Sequence, residues 1–304
     1  LAKGVEFLLK KNQVDLIIGA GSLQGPGEVL VDGKDQKKVV ANRILLATGS
    51  RERLLPQLEI DGKTVLTSRE ALAQKELPKS ILIIGGGAIG VEFAYVYRSF
   101  GVETTVVEIM DRLLPEMEEE LGPELERSLK KKKIKILTQT RYKANRREGD
   151  SIAVTVEGKN GKESTLTAQQ LLVAVGRGPL TEGLEMEKLG IETDRGFIKV
   201  DDHYKTSCKG IYAVGDVTGP PLLAHAAAAE GIAAVEMIAG HDAKKVERQR
   251  IPACVYCQPE VAGIGLGEGA ARAAGLQVKV GRFPFRAAGK AVASDSTDGW
   301  VKVI

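Results

Sequence analysis

Residues 80–92 (SILIIGGGAIGVE) pass from an apolar run through G-x-G-x-x-G straight into a helical pattern. That order is the first turn of a dinucleotide-binding βαβ unit: the turn must be tight, its backbone must approach a pyrophosphate, and the helix must pack on its strand. Gly85 is assigned to the turn, Gly87 to the close approach and Gly90 to the helix–strand contact. With Gly86, Ala88, Ile89 and Val91 they form the expected phosphate-facing segment. The helix start offers free N–H groups and a positive dipole end to phosphate oxygens.

Residues 101–108 (GVETTVVE) read as a helix stop and a second strand that ends in an acid. Glu108 follows Gly90 by 18 residues, close to the spacing of about 20 at which an acid holds a ribose 2′-hydroxyl. A carboxylate there repels a 2′-phosphate, so NAD is expected over NADP.

The chain has 304 residues, 43% of them hydrophobic, enough for two or more domains with sizeable cores. Its 43 basic and 40 acidic residues leave a net charge of +3, which makes no electrostatic case for nucleic acid. The run Lys130–Lys133 reads as the basic end of a helix over Glu116–Lys133, matched to the helix dipole. No apolar stretch reaches the roughly 18 residues of a membrane span, and no signal-peptide pattern is found. A cytoplasmic location is expected, or the mitochondrial matrix in a eukaryote. The chain opens at Leu1 inside a helical pattern and closes at Ile304 inside a strand pattern, so both ends are expected to lie within a longer protein.

Three cysteines are too few for a disulfide scaffold. Cys254 and Cys257 form a C-x-x-C pair that invites a redox or zinc reading. No second ligand pair lies nearby for zinc, and no metal site is expected. Redox pairs open a helix that lowers the thiol pKa, whereas here prolines flank the pair and Val255 and Tyr256 favour a strand. Cys208 reads as a turn residue. His203, His225 and His241 are not assigned as bases.

Residues 13–18 read as a strand ending at a glycine turn, Gly19–Gly21, with a hairpin over 29–31 and 39–41. Residues 43–50 (RILLATGS) form a short apolar strand and a small-residue turn, as suits a parallel sheet buried on both faces. After a third strand at 134–137 come a hairpin over 151–157 and 163–166, and a strand over 170–175 that ends at Gly176, Arg177, Gly178 and Pro179. Shorter strands follow at 198–200 and 210–216, then a helix from about Pro221 to Gly240. From Ile251, strands at 261–264, 277–283 and 301–304 flank a helix over 267–274, which reads as a separate α+β domain. Its apolar residues Val261, Ile264, Val278, Val280, Phe283 and Phe285 are too many to leave exposed.

Taken in order, ATGS at 47–50, the fingerprint with Glu108, GIYAVGD at 210–216 and PLLAHAA at 221–227 resemble the two-dinucleotide flavoprotein disulfide reductases. The resemblance covers the whole chain, and within that family is to the dihydrolipoamide dehydrogenases. It implies an α/β protein with two Rossmann-like dinucleotide-binding domains, the FAD one incomplete, and part of an α+β dimerisation domain. The implied boundaries are 1–77 and 198–247 for FAD, 78–197 for NAD and 248–304 for the interface.

For cofactors the resemblance implies FAD and NAD. Thr48, Gly49 and Ser50 would touch FAD, Gly21 would lie near its adenine half, Asp216 on its ribityl hydroxyls, and Leu222, Leu223, Ala224 and His225 along the flavin. Read without the family, Asp216 is equally a helix cap. Glu92 would support catalysis by pairing with an upstream lysine near the nicotinamide; by itself it reads as an acid in a helix's first turn. Gly176 and Arg177 would be a second NAD contact. Tyr142 falls at an adenosine contact, where the family usually has a small apolar residue.

The family's FAD-phosphate glycine motif and redox Cys-x4-Cys pair would lie upstream of Leu1, and its His-x4-Glu dyad downstream of Ile304. The whole protein would then be a homodimer that oxidises the dihydrolipoamide of lipoyl domains in 2-oxo acid dehydrogenase complexes. The alternative for the whole protein is another NADH-dependent flavoprotein, of mercuric reductase, NADH oxidase or transhydrogenase type; the chain as it stands is expected to be a non-catalytic, NAD-binding and dimer-forming fragment, inactive by itself.

Overall fold

The apolar run at 80–84 becomes the middle strand of a five-stranded parallel sheet. A computed structural model of the chain describes residues 2–304; Leu1, where the first domain is expected to begin, lies outside the described residues. The sheet runs in the order Val65–Leu66, Gln170–Val173, Ser80–Ile84, Glu103–Val107 and Lys135–Leu137. Strand residues alternate between its faces. Ile81, Ile83, Val106 and Leu172 pack with helix residues Val91, Ala94, Tyr97, Leu125 and Leu129. Leu82, Ile84, Val107, Leu171 and Val173 pack with Ile152, Val154 and Val156. Both faces are covered, which is why these strands read as unbroken apolar runs.

The second cover is a three-stranded antiparallel sheet: Arg141–Glu148, Ser151–Glu157 and Glu163–Ala168. Its first strand (RYKANRRE) is absent from the sequence expectation. Only Tyr142 and Asn145 are half-buried along it, so pairing with Ser151–Glu157 makes the strand and its own pattern does not. The helix expected over Glu116–Lys133 is Leu121–Lys131. It stops where Lys133 takes a left-handed φ of 65°, and Glu116–Glu120 remain a loop.

Residues Glu52–Arg177 and Gln249–Ile304 form one compact unit; residues up to Arg51 and Gly178–Arg248 form the other. These compact units cut across the expected domains at three places. Residues 52–77 join the parallel sheet, because Val65–Leu66 pairs with Gln170–Val173. Residues 178–197 join the other unit, whose core contains Leu184, Met186 and Ile191. The segment from Ile251 packs Val255, Cys257 and Val261 into the same core as the parallel sheet. That segment pairs Ala253–Val255 with Val261–Gly263 and Gly281–Pro284 with Trp300–Val303, and carries helices Glu268–Ala273 and Gly289–Ala293.

Lys302, in its last strand, fastens the segment to the Glu116–Glu120 loop. Its side chain is 4% exposed, with Nζ at 2.6 Å from Glu118 and Glu120 and 2.8 Å from Glu268. Arg282 also bonds Glu120. Hydrogen bonds from Arg282 and Lys302 pull the Glu120 carboxyl down to about 2. Burial opposes the Lys302 charge, but its three carboxylate partners outweigh that and raise its pKa.

In the other unit Ile44–Leu46 pairs in parallel with Ile211–Ala213, and Ala20–Gly25, Glu28–Asp32 and Lys37–Val40 make an antiparallel meander. The strand expected over 13–18 does not form; Leu16, Ile17 and Ile18 are exposed. Gly21 is consequently not a turn residue but lies within Ala20–Gly25, opposite Val31. The helix expected from Pro221 is Ala224–Ile238, because Leu223 before it is extended, with φ −131° and ψ 130°.

Candidate dinucleotide sites

The glycine turn has the geometry that a phosphate cradle needs. Gly85 has φ +114°, and a Cβ there would lie 2.1 Å from the Ala174 carbonyl oxygen. A Cβ on Gly90 would lie 1.9 Å from the Gly85 carbonyl oxygen, so the helix can approach its strand only without one. Nothing stands within 4 Å of where a Cβ on Gly87 would be, so the backbone there is open to a ligand. Helix Ala88–Ser99 starts at Gly87 with no side-chain cap, so its first N–H groups meet no competing side chain. Ala88 is exposed and Ile89 half-buried beside this opening. Val91 departs from the expectation: its side chain is fully buried and its N–H bonds the Gly87 carbonyl, so it packs rather than faces a phosphate.

Glu108 ends strand Glu103–Val107 and is 6% exposed. One carboxylate oxygen accepts the Gly86 N–H at 2.5 Å, the other the Met110 N–H at 2.7 Å. A carboxylate has about four acceptor positions, so two backbone donors fix its orientation and leave capacity for hydroxyl donors. Thr140 donates its N–H to the Glu108 carbonyl at 2.9 Å, which puts Tyr142 on the strand that leaves this corner. The Tyr142 ring packs against the apolar cluster of Val107 and Val154, its hydroxyl bonds Asn145, and burial raises its pKa.

Glu92 is the fifth residue of its helix, beyond the first turn, and accepts the Tyr256 N–H at 2.8 Å. Just past the neighbouring strand Gln170–Val173, at the same edge of the sheet as the glycine turn, Arg53 donates its N–H to the Gly176 carbonyl at 3.0 Å. The Arg177 guanidinium lies 3.6 Å from the Glu52 carboxylate, a neighbour that sequence reasoning did not find. The two cysteines of the C-x-x-C pair lie in different environments. Cys257 is buried with its thiol on the Pro259 carbonyl at 3.1 Å, while Cys254 is exposed. Burial, then the charges of Glu92 and Glu260, push the Cys257 thiol up to about 12.

In the other unit the 47–50 turn and the 210–216 motif meet. Thr48 Oγ1 donates to the Leu180 carbonyl at 2.8 Å, Leu180 N–H to the Gly49 carbonyl at 3.0 Å, and Ser50 Oγ to Asp216 Oδ2 at 2.5 Å. Among the described residues no donor reaches the other Asp216 carboxylate oxygen, and a Cβ on Gly49 would meet nothing within 4 Å. A free carboxylate oxygen beside an open glycine turn fits a polyhydroxyl chain. Leu222 and Leu223 are half-buried, and Ala224 and His225 are exposed at the start of helix Ala224–Ile238.

Two residues here escaped sequence reasoning. Glu230, 2% exposed, accepts the Gly215 N–H at 2.8 Å and pairs with Arg248 Nε at 2.9 Å. A glutamate in the helix AHAAAAEGIAAVEMI is a visible signal, because a carboxylate on a face of alanines needs a buried partner. Arg248 sits among lysines and arginines and gives no such signal.

The chain matches known proteins along its length. Residues 1–231 match the family described as "Pyridine nucleotide-disulphide oxidoreductase", and residues 251–304 match its dimerisation domain. A dihydrolipoyl dehydrogenase of Rhizobium etli is 43% identical over 322 aligned residues, covering 100% of this chain and 67% of its own length. That of Chlorobaculum tepidum is 46% identical, with 100% and 65% covered. Among solved structures, LpdA of Mycobacterium tuberculosis superposes with a TM-score of 0.90 at 29% identity, covering 99% of this chain and 66% of its own. The HOCl-induced flavoprotein disulfide reductase RclA of Escherichia coli gives a TM-score of 0.85 at 27% identity, with 98% and 69% covered. The chain thus spans about two thirds of the length of the relatives it matches.

Proposed function

This chain belongs to the pyridine nucleotide-disulphide oxidoreductase family, and on that premise we propose that it carries the NAD site and part of the FAD site of a dihydrolipoyl dehydrogenase. The observation that carries the reading is the Glu108 carboxylate held on the Gly86 N–H, which joins a discriminating acid to the phosphate turn. Gly85–Gly90 receive the pyrophosphate on backbone N–H groups. Glu108 takes the adenosine ribose hydroxyls and disfavours a 2′-phosphate, Arg177 and Gly176 make a second contact, and Tyr142 lines the adenosine side. Ser50 holds Asp216 so that its free oxygen can accept ribityl hydroxyls, with Thr48 and Gly49 shaping the turn and Leu222–His225 along the flavin. Gly21, inside a strand, keeps an assignment near the adenine half only as a backbone neighbour.

When bound, the two dinucleotides supply hydride and electron transfer. The residues of this chain bind and orient them, and Glu92 braces the helix beside the nicotinamide end. In the whole protein the substrate is dihydrolipoamide on the lipoyl domains of 2-oxo acid dehydrogenase complexes, the assembly a homodimer, and the location cytoplasmic or, in a eukaryote, the mitochondrial matrix. Among the described residues no helix is long and apolar enough to cross a membrane. Titration of NADH and NADPH into the protein tests the reading: NADH is expected to bind more tightly, and Glu108→Ala to narrow the gap. Equal affinities in the unaltered protein would overturn the role of Glu108.

A further inference from the structure

Asp216 is held in place by groups its motif does not include. Glu230 Oε2 accepts the N–H of Gly215, the residue just before it, at 2.8 Å, and Glu230 Oε1 accepts Arg248 Nε at 2.9 Å. Arg248 then spreads over the segment that follows: Nη2 donates to Thr218 Oγ1 at 2.6 Å, and Nη1 to the Pro220 carbonyl at 2.9 Å and, at 3.4 Å, to that of Thr218. Thr218 Oγ1 in turn donates to the Gly215 carbonyl at 2.8 Å. The Asp216 carboxylate takes no part; its protein contact is the Ser50 hydroxyl.

We propose that Glu230 and Arg248 are positioning residues for FAD, clamping the 215–220 segment at Gly215, Thr218 and Pro220 so that Asp216 is presented to the ribityl hydroxyls. This rests on the assignment of Asp216 to FAD made above. A buried ion pair contributes little net stability compared with apolar packing, so stability alone does not explain Glu230 on a helix of alanines. What the pair supplies is geometry. The planar guanidinium fork sends Nε to Glu230 and its two terminal nitrogens to Thr218 and Pro220, a rigid directional spread that the compact ammonium of a lysine does not reproduce. The clamp also satisfies backbone groups at a turn where Gly215 has φ +73° and regular structure does not.

The test uses the full-length protein, stripped of FAD and titrated with it, following flavin fluorescence for affinity and visible circular dichroism for the bound flavin's orientation, with a thermal melt of each apoprotein. Glu230→Gln and Arg248→Met are expected to weaken FAD by about tenfold or more and to change the visible dichroism, the loss expected when hydrogen bonds to a charged group go. Arg248→Lys is expected to recover part of the affinity and not the full spectrum. A purely structural role would lower the melting temperature and leave affinity and spectrum as they were. Should the buried variants fail to fold, Thr218→Val, which removes one bond of the clamp, is read the same way. FAD affinity within about twofold of the parent and an unchanged spectrum in the folded variants would overturn the proposal. Asp216→Asn separates the two levels. If it binds FAD normally, the assignment of Asp216 fails; if it weakens FAD while Arg248→Met does not, only the clamp fails.

Discussion

The carboxylate of Glu92 accepts the backbone N–H of Tyr256 at 2.8 Å, joining residues 164 positions apart. Glu92 lies on the helix that opens at the glycine turn, and Tyr256 in the segment that matches the dimerisation domain. One side chain thus belongs to the proposed nicotinamide end and to the seam where residues 251–304 share a core with the parallel sheet. A change at the seam is therefore expected to reach the helix through this bond.

Glu92→Ala removes the acceptor and leaves the Tyr256 N–H to find water. The expected loss is about 1–3 kcal/mol of stability, as for a hydrogen bond to a charged group, together with weaker NADH binding. Glu92→Gln keeps a carbonyl acceptor and is expected to restore most of the stability. Urea unfolding and NADH titration of the three proteins check this; equal stability of all three would show that the bond contributes nothing.

The cysteines differ in environment more than in spacing. Cys257, with its thiol pushed up to about 12, is expected to resist alkylation at pH 8 in the folded protein, while exposed Cys254 reacts. Replacing both with serine in the full-length protein is expected to leave turnover largely intact. Mass spectrometry after brief iodoacetamide treatment, with an activity assay of the double variant, measures both. Rapid modification of Cys257, or loss of most activity with the fold preserved, would restore the redox reading.

Lys302 joins three part-exposed carboxylates. Lys302→Met removes their shared cation and is expected to lower the unfolding midpoint, chiefly by leaving Glu118 without a cation, since Glu120 keeps Arg282 and Glu268 keeps Arg272. The pH dependence has two signs. Glu120 is depressed in the fold, so its contribution is present above its unfolded pKa near 4.5 and fades as pH falls towards about 2. Lys302 is raised, so its contribution is full below its unfolded pKa near 10.5 and is lost only as pH climbs past its higher folded value. Acid unfolding of the parent between about pH 4.5 and 2 is thus expected to depend on Glu120, and Glu120→Gln to flatten that limb. Unchanged limbs in both variants would remove the cluster from any account of stability.

The glycine fingerprint was legible because each glycine answers a local demand: Gly85 for its φ, Gly90 for its contact with the Gly85 carbonyl. The parallel strands were legible because burial on both faces leaves unbroken apolar runs. What failed was non-local. The charged strand Arg141–Glu148 exists through its pairing with Ser151–Glu157. The apolar stretch 13–18 is no strand, because no neighbour pairs with it among the described residues. Arg248 was invisible because its meaning comes from Glu230 and from a turn about thirty positions earlier. At 52–77 and 178–197, a two-residue pairing and a few core side chains, not composition, decide which unit a connecting segment joins.

The proposed homodimer can be tested on the segment that matches the dimerisation domain. Its apolar residues are not equally available: Val261 is buried in the core of its own unit, whereas Tyr256, Ile264, Phe283, Val301 and Val303 are exposed. Exposed large side chains in a segment that matches a dimerisation domain are the ones to test for an interface. The full-length protein is expected to sediment as a dimer at micromolar concentration. Ile264→Asp with Phe283→Asp places charge on the exposed set without touching the core around Val255 and Val261. That variant is expected to shift towards monomer while still binding NADH, since the glycine turn and Glu108 lie elsewhere in the unit. Sedimentation velocity and an NADH titration of the same sample read both quantities. A parent that remains an active monomer would overturn the proposed dimer, and a variant that stays dimeric would move the interface away from these two residues.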